Sequence, residues 1–301
     1  MLIENEEPSK GIEISQSYFR GNQLSKECFA NTCPSGADIF FDFVSSKSSS
    51  NSQNSDSILD INDCTFILYK ADNDGGSISI LIANQEPSKS IEIKRCEIRS
   101  SSSNGVANIG GAIYYNFSPI SIKDATTNGK VYALHVVDCK FSSNQVSEYG
   151  GSIAVNIGKR EPLNPIEITR CTFVGGMSGK NGGHIYYLFN PASTTSTQSN
   201  EHTLLINDCS FSTTTGQVLS GNGGSIFIMI QNGEPSKSIE INNCTFTDCF
   251  VKGNGAAIYY QFSSTSSTNT KTLLEDSNVY ALNIVGCTFT SNVANNNGGA
   301  V

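Results

Sequence analysis

The chain has 301 residues, with 19 Lys and Arg against 27 Asp and Glu for a formal charge of −8, no Trp and 3 His. Only 15% of residues are charged while Gly numbers 27, a turn-rich composition that leans to β structure. Nucleic acid and anionic membrane surfaces, which require clustered Lys and Arg, are excluded as partners, and no apolar run reaches the ~18 residues that a spanning helix needs.

The chain opens on Met1-Leu2-Ile3-Glu4, without the basic start and apolar stretch of a secretory signal. Leu2-Ile3 aligns with Leu81-Ile82, and Val301 falls where a strand has just begun, so the chain is expected to be an uncapped fragment of a longer solenoid. Glu7-Pro8-Ser9-Lys10 is the first copy of a block that returns as Glu86-Pro87-Ser88-Lys89, Glu161-Pro162 and Glu234-Pro235-Ser236-Lys237, roughly 75 residues apart. The block divides a single repeat domain, 1–301, into pairs of coils at approximately 1–85, 86–160, 161–233 and 234–301.

Each coil follows one skeleton. An apolar-x-apolar triplet comes first: Ile12/Ile14, Leu59/Ile61, Ile91/Ile93, Leu134/Val136, Ile166/Ile168, Leu204/Ile206, Ile239/Ile241 and Leu282/Ile284. Next stands Ser17 in the first coil, then Cys64, Cys96, Cys139, Cys171, Cys209, Cys244 and Cys287, each followed two positions on by Phe or, at 98, Ile. A Gly-Gly-small-Ile element closes the coil, as in Gly110-Gly111-Ala112-Ile113 and Gly150-Gly151-Ser152-Ile153, and runs on with period two through Ile153, Val155 and Ile157. Period two means strand, with alternate side chains on one face. Three short strands per coil cannot bury those faces alone; stacking coil on coil can. The expected fold is an all-β, right-handed parallel β-helix of about eight coils, roughly 40 Å long at ~4.8 Å per rung.

The connections alternate. From Ile82 to Ile91, Ile157 to Ile166 and Ile230 to Ile239 there are always nine positions, whereas the intervening connections vary and hold Ser45–Ser57, Ser118–Lys130, Pro191–His202 and Ser263–Asn278. These Ser/Thr/Asn-rich inserts are expected to be solvated loops along one edge.

Seven cysteines at one repeat position read as a ladder of buried thiols, because stacked Cβ atoms ~4.8 Å apart exceed the ~3.5–4.5 Å of a disulfide. Cys28 and Cys33 lie off that position, where a disulfide stays open, and Cys249 has no evident partner. Asp63, Arg95, Asp138, Arg170 and Asp208 precede ladder cysteines and alternate in sign, which would stack as an outer ion-pair ladder that sets register. Glu13, Glu92, Glu167 and Glu240 recur between the paired isoleucines, so they are read as a solvated face rather than a catalytic pair. Asp72-Asn73-Asp74-Gly75 begins like a calcium loop, but no Glu completes it. His135, His184 and His202 sit at unrelated repeat positions, and no cofactor or metal is expected. Phe40, Tyr114, Tyr186 and Tyr259 share one outward position beside the inserts, a row of rings that would meet a partner or a glycan unless the inserts cover it. Asn116-Phe117-Ser118 is a formal N-glycosylation sequon on the same edge.

Gly-Gly-Ala-Ile elements combined with Phe-x-x-Asn (Phe19/Asn22, Phe141/Asn144, Phe289/Asn292) resemble the polymorphic outer-membrane protein repeat, over nearly the whole chain. Phe173-Val-Gly-Gly, Phe211-Ser-Thr-Thr and Phe246-Thr-Asp-Cys depart from it by losing the Asn. The resemblance implies a pectin-lyase-like β-helix on a cell surface or secreted, of a family in which several members are adhesins. A non-enzymatic scaffold is therefore expected, meeting a host-cell or matrix protein or glycan through the loop-bearing edge. The rivals are a carbohydrate-active β-helix enzyme, which would need a unique cluster of Asp, Arg or Lys, and a purely structural stalk.

Overall fold

A computed structural model describes residues 2–3, 11–20, 38–44, 57–67, 70–71, 76–99, 102–103, 109–120, 131–191, 202–212, 221–233, 235–263 and 281–301. Cys28, Cys33, the Asp72–Gly75 run and most insert residues lie outside them. Among the described residues there is no helix. The chain winds as a right-handed parallel β-helix whose strands stack in three long sheets of eight. Coils are numbered 1 to 8 in chain order. Sheet II opens each coil, from Ile12–Ser15 in coil 1 to Asn283–Val285 in coil 8; sheet III follows, from Tyr18–Arg20 to Thr288–Thr290. Sheet I closes it, with Ile39–Phe43, Ile78–Ile82, Ile113–Phe117, Ile153–Ile157, Ile185–Phe189, Ile226–Gln231 and Ile258–Ser263. Two-residue strands such as Gln145–Val146 and Met177–Ser178 add a short fourth ladder after sheet III, one strand beyond the three expected.

The register is that of the repeat: every partner in sheet I is the equivalent residue one coil on, as in Ile113↔Ile153↔Ile185. β-branched and aromatic residues fit this pleat, and their inward members form one continuous core. At its centre the sheet III phenylalanines stack nearly flat, Phe141 on Phe173 at 4.8 Å, Phe173 on Phe211 at 4.7 Å and Phe211 on Phe246 at 4.8 Å. Ile98 interrupts the column between Phe66 and Phe141.

The corners account for the residues between strands. Before each ladder cysteine the backbone turns left-handed, with φ of 55° at Asp63, 50° at Arg95, 55° at Asp138, 51° at Arg170, 54° at Asp208, 53° at Asn243 and 65° at Gly286. Asp, Asn and Gly tolerate that region; Arg does so poorly. At the Gly-Gly corner a side chain has no room: a Cβ on Gly151 would lie 2.1 Å from the carbonyl oxygen of Gly183 in the next coil. Close backbone approach, rather than turn propensity alone, therefore demands the second glycine.

Candidate functional site

Cysteine 64, 96, 139, 171, 209 and 244 are buried and Cys287 half-buried, all as free thiols in one column, as the repeat implied. Each donates to the carbonyl two residues back, for example Cys96 to Lys94 at 3.2 Å, and the amides of Cys96 and Cys171 donate to the sulfurs of Cys139 and Cys209, each at 3.4 Å. Burial and neighbouring sulfurs push the Cys171 thiol up, and the buried column packs sulfur against backbone from coil to coil. The charged corner is in register too, but it resolves into separate pairs rather than a continuous ladder. Arg95 grips Asp63 through Nε at 2.7 Å and Nη2 at 2.9 Å, and Arg170 grips Asp138 at the same two distances. These hydrogen bonds hold both Asp carboxyls below the usual range. Asp208 instead accepts from its neighbour Asn207 at 2.7 Å. Both arginines that accept the strained left-handed turn are the ones so paired.

The aromatic row on the outside of sheet I is a row, but not an exposed one. Tyr114 and Tyr186 are each only 6% exposed, and Phe40 and Tyr259 are half-buried. Tyr186 lies between Tyr149 at 4.6 Å and Phe227 at 5.5 Å, and Phe227 stacks on Tyr259 at 5.4 Å. These rings pack with Ala154, Leu188 and Met229 into a second small core on the outer face. The even-coil Phe227, 1% exposed, completes the stack that the odd-coil spacing alone did not reveal. Asn116 lies half-buried beside it and accepts from Asn156 at 3.4 Å.

The glutamate face of sheet II also departs from expectation. Glu13 is exposed, but Glu167 is buried, because His202, at the return of an insert, closes on it at 3.0 Å. Glu92 accepts from Ser57 at 3.0 Å and from Lys94 at 2.6 Å, and Lys94 also reaches Asp60 at 2.9 Å. His135, stacked on Tyr132 at 4.2 Å, approaches Glu92 at 3.9 Å. The His135 contact first, then Lys94 and Ser57, hold the Glu92 carboxyl down at about 2. A carboxylate so held cannot serve as a general acid at neutral pH, and among the described residues no three His, Cys, Asp or Glu are grouped to hold a metal.

The Glu-Pro-Ser-Lys block, which the sequence offers only as a repeat marker, is a buried polar staple. Glu86 accepts from the amides of Leu163 at 2.8 Å and Asn164 at 3.0 Å, and from the Asn164 side chain at 2.9 Å, two coils away. Glu161 likewise accepts from the Ser236 amide at 2.9 Å, and from the Thr203 hydroxyl at 2.7 Å, just past an insert. Lys237 reaches back to the Leu163 carbonyl at 2.9 Å. Desolvation lifts Glu86 to about 7 and raises Glu161, against these donors and the Lys237 ammonium; it lowers Lys237. Among the described residues the constant nine-residue connections thus grip one another past the Ser118–Lys130 insert and past the Pro191–His202 insert. The signal was present: a Pro-containing block recurring every second coil, at the one connection whose length never changes.

Two buried exchanges finish the interior. Asn144 and Asn292, the Asn of Phe-x-x-Asn, bond the carbonyls of Ile98 at 3.1 Å and Phe246 at 3.0 Å in the preceding coil. In coil 5 that column holds Gly176, and His184, from the column of small Ser and Ala residues, fills the space; a Cβ on Gly176 would lie 2.3 Å from its Nδ1. His184 Nε2 bonds the Ser212 carbonyl at 3.1 Å, and burial depresses its pKa to about 4. Cys249 also stands in the Asn column, its sulfur 2.9 Å from the Ser225 hydroxyl. No helix of the described residues is long and apolar enough to cross a membrane. Comparison of the chain with family models, with curated proteins and with solved structures finds no match.

Proposed function

We propose that the chain is a non-enzymatic, adhesin-like β-helix scaffold, displayed on a cell surface or secreted, that meets a protein or glycan partner along its insert-bearing edge. The observation that carries this is the alternation at one corner. Connections of fixed length are buried and stapled through Glu86, Glu161 and Lys237, while those between them hold inserts of varied length rich in Ser, Thr and Asn. A rigid base with variable loops rooted on it is the division of labour expected of a recognition edge. The resemblance to the polymorphic outer-membrane protein repeat supports the same reading as analogy. The acids of sheet II speak against the carbohydrate-active rival, since Glu92 and Glu167 are engaged by Lys94, His135 and His202.

The test replaces residues 45–56, 121–130, 192–201 and 264–278 with short Gly-Ser links. Binding to intact cells or matrix-coated surfaces is expected to fall at least tenfold while the far-ultraviolet spectrum stays unchanged. Undiminished binding would move recognition off this edge; no binding by the parent chain would leave the stalk reading. Turnover of polygalacturonate or another acidic glycan would establish the enzyme instead.

A further inference from the structure

Asn-Gly occurs seven times in the chain, and five copies fall on described residues: Asn181-Gly182, Asn222-Gly223, Asn232-Gly233, Asn254-Gly255 and Asn297-Gly298. An Asn before Gly can close on itself, because no Cβ hinders the glycine nitrogen from attacking the side-chain carboxamide. Four of the five stack at the Gly-Gly corner as an asparagine ladder. Asn181 Oδ1 accepts from the Asn222 amide at 2.9 Å, and Asn222 Oδ1 from the Asn254 amide at 2.8 Å and its Nδ2 at 3.0 Å. Asn254 Oδ1 accepts from the Asn297 amide at 3.1 Å and its Nδ2 at 3.0 Å. The nitrogens that would attack are tied as well. Gly182 donates to the Asn222 carbonyl at 3.1 Å, Gly223 to that of Asn254 at 2.9 Å and Gly255 to that of Asn297 at 2.9 Å.

Asn232-Gly233 stands outside the ladder, at the start of the fixed connection after coil 6. Asn232 is exposed with φ of 62°, and beyond its chain neighbours no atom lies within 4 Å of where a Cβ on Gly233 would stand. Among the described residues the Gly233 N–H is given to no backbone carbonyl. The equivalent positions in the other fixed connections are Asn84-Gln85, whose glutamine is buried, and Lys159-Arg160. We propose that Asn232 is a site of spontaneous deamidation. The Gly233 nitrogen attacks Cγ of Asn232 and closes a succinimide as the Cγ–Nδ2 bond breaks, and the Gly233 proton leaves with Nδ2 as ammonia. Water then opens either ring carbonyl, leaving aspartate or isoaspartate. Asn232 Nδ2 donates to Asn190 Oδ1, and Asn190 precedes Pro191, where an insert begins. The modification therefore exchanges that donor for a negative charge at the root of an insert, whether or not the insert edge recognises a partner.

The full chain, aged in mildly alkaline buffer and mapped at intervals by peptide mass spectrometry, tests it. Asn232 should convert at least ~10-fold faster than Asn181, Asn222 and Asn254 in the same molecules. Aged in guanidinium chloride, the four should converge on comparable rates, since the dipeptide is the same. Asn297, on the last coil, and Asn104 and Asn128, outside the described residues, are no part of the comparison. Methyl labelling by an isoaspartyl methyltransferase should mark the Asn232 peptide of the aged, folded chain. Equal rates at Asn232 and the ladder in the folded chain would overturn the proposal, as would a preference for Asn232 that persists in denaturant. Conversion without methyl labelling would refute the succinimide route.

Discussion

The inside of the tube and its insert-bearing corner follow different periods. Inside, the phenylalanine stack, broken at Ile98, and the cysteine column from Cys64 to Cys287 repeat every coil, and elsewhere in them residues meet their own kind above and below. At the corner the staple repeats every second coil, and each residue meets a different partner: Glu86 a pair of amides, Lys237 a carbonyl. One-coil periodicity marks apolar packing, which any equivalent rung satisfies, whereas two-coil periodicity marks polar groups that must find complementary ones.

The strongest way to break the first half is Phe173→Ala, which removes a ring stacked on both sides. Unfolding in urea should show a loss of ~3–5 kcal/mol; a loss under ~1 kcal/mol would mean that the stack contributes little. The second half is sharpened by pH. Glu86 rises from 4.5 to about 7 on folding, so the folded chain holds the extra proton, and its contribution is full below pH 4.5 and lost as pH rises to 7. His184 falls from 6.5 to about 4, so its contribution is present above pH 6.5 and lost as pH falls to 4. The two slopes oppose each other between pH 4.5 and 6.5. Replacing both Glu86 and Glu161 by Gln should unmask the histidine slope, because burial raises Glu161 as well, and stability should then rise with pH by on the order of 3 kcal/mol in total. A flat profile in that variant would refute the assignment.

A smaller effect concerns the exchange in coil 5. Gly176→Asn alone should destabilise, because its Cβ meets His184, and His184→Ser alone should leave a cavity. The double variant removes the ring but leaves the new Cβ 2.5 Å from the Gly183 carbonyl oxygen, so it should recover only part of the loss, ~1 kcal/mol relative to additivity in a double-mutant cycle; additive losses would show that the two sites are unrelated. Smallest of all, Arg95→Gly gives up an exposed ion pair but relieves a left-handed arginine. Its melting temperature should match or exceed that of the parent chain, and a clear fall would rank the Asp63 pair above backbone relief.

Strand order, register, the thiol column and the Asp–Arg pairing were legible because each follows from repetition. Other features were not, because they depend on neighbours that repetition does not name. Glu167 reads as solvated until His202 returns over it, and Tyr186 reads as exposed until Phe227 and Tyr149 close on it. The left-handed corner has its sign in Asp63, Asp138, Asp208, Asn243 and Gly286, but Arg95 and Arg170 at the same position hide it behind an alternation of charge. Cys249 stands at the Asn position already in the sequence, as Phe246-Thr-Asp-Cys, but its partner Ser225 comes from another column and becomes evident only in three dimensions.

The reach of Glu86 over an intervening coil also has a genetic consequence. Excising residues 161–233 would bring Glu86 beneath Ser236 and Lys237, which occupy the block positions it now meets as Leu163 and Asn164. Excising a single coil would set it against an insert. Recombination can therefore shorten or extend this tube only in units of two turns, and alleles of different length should differ by whole multiples of that unit.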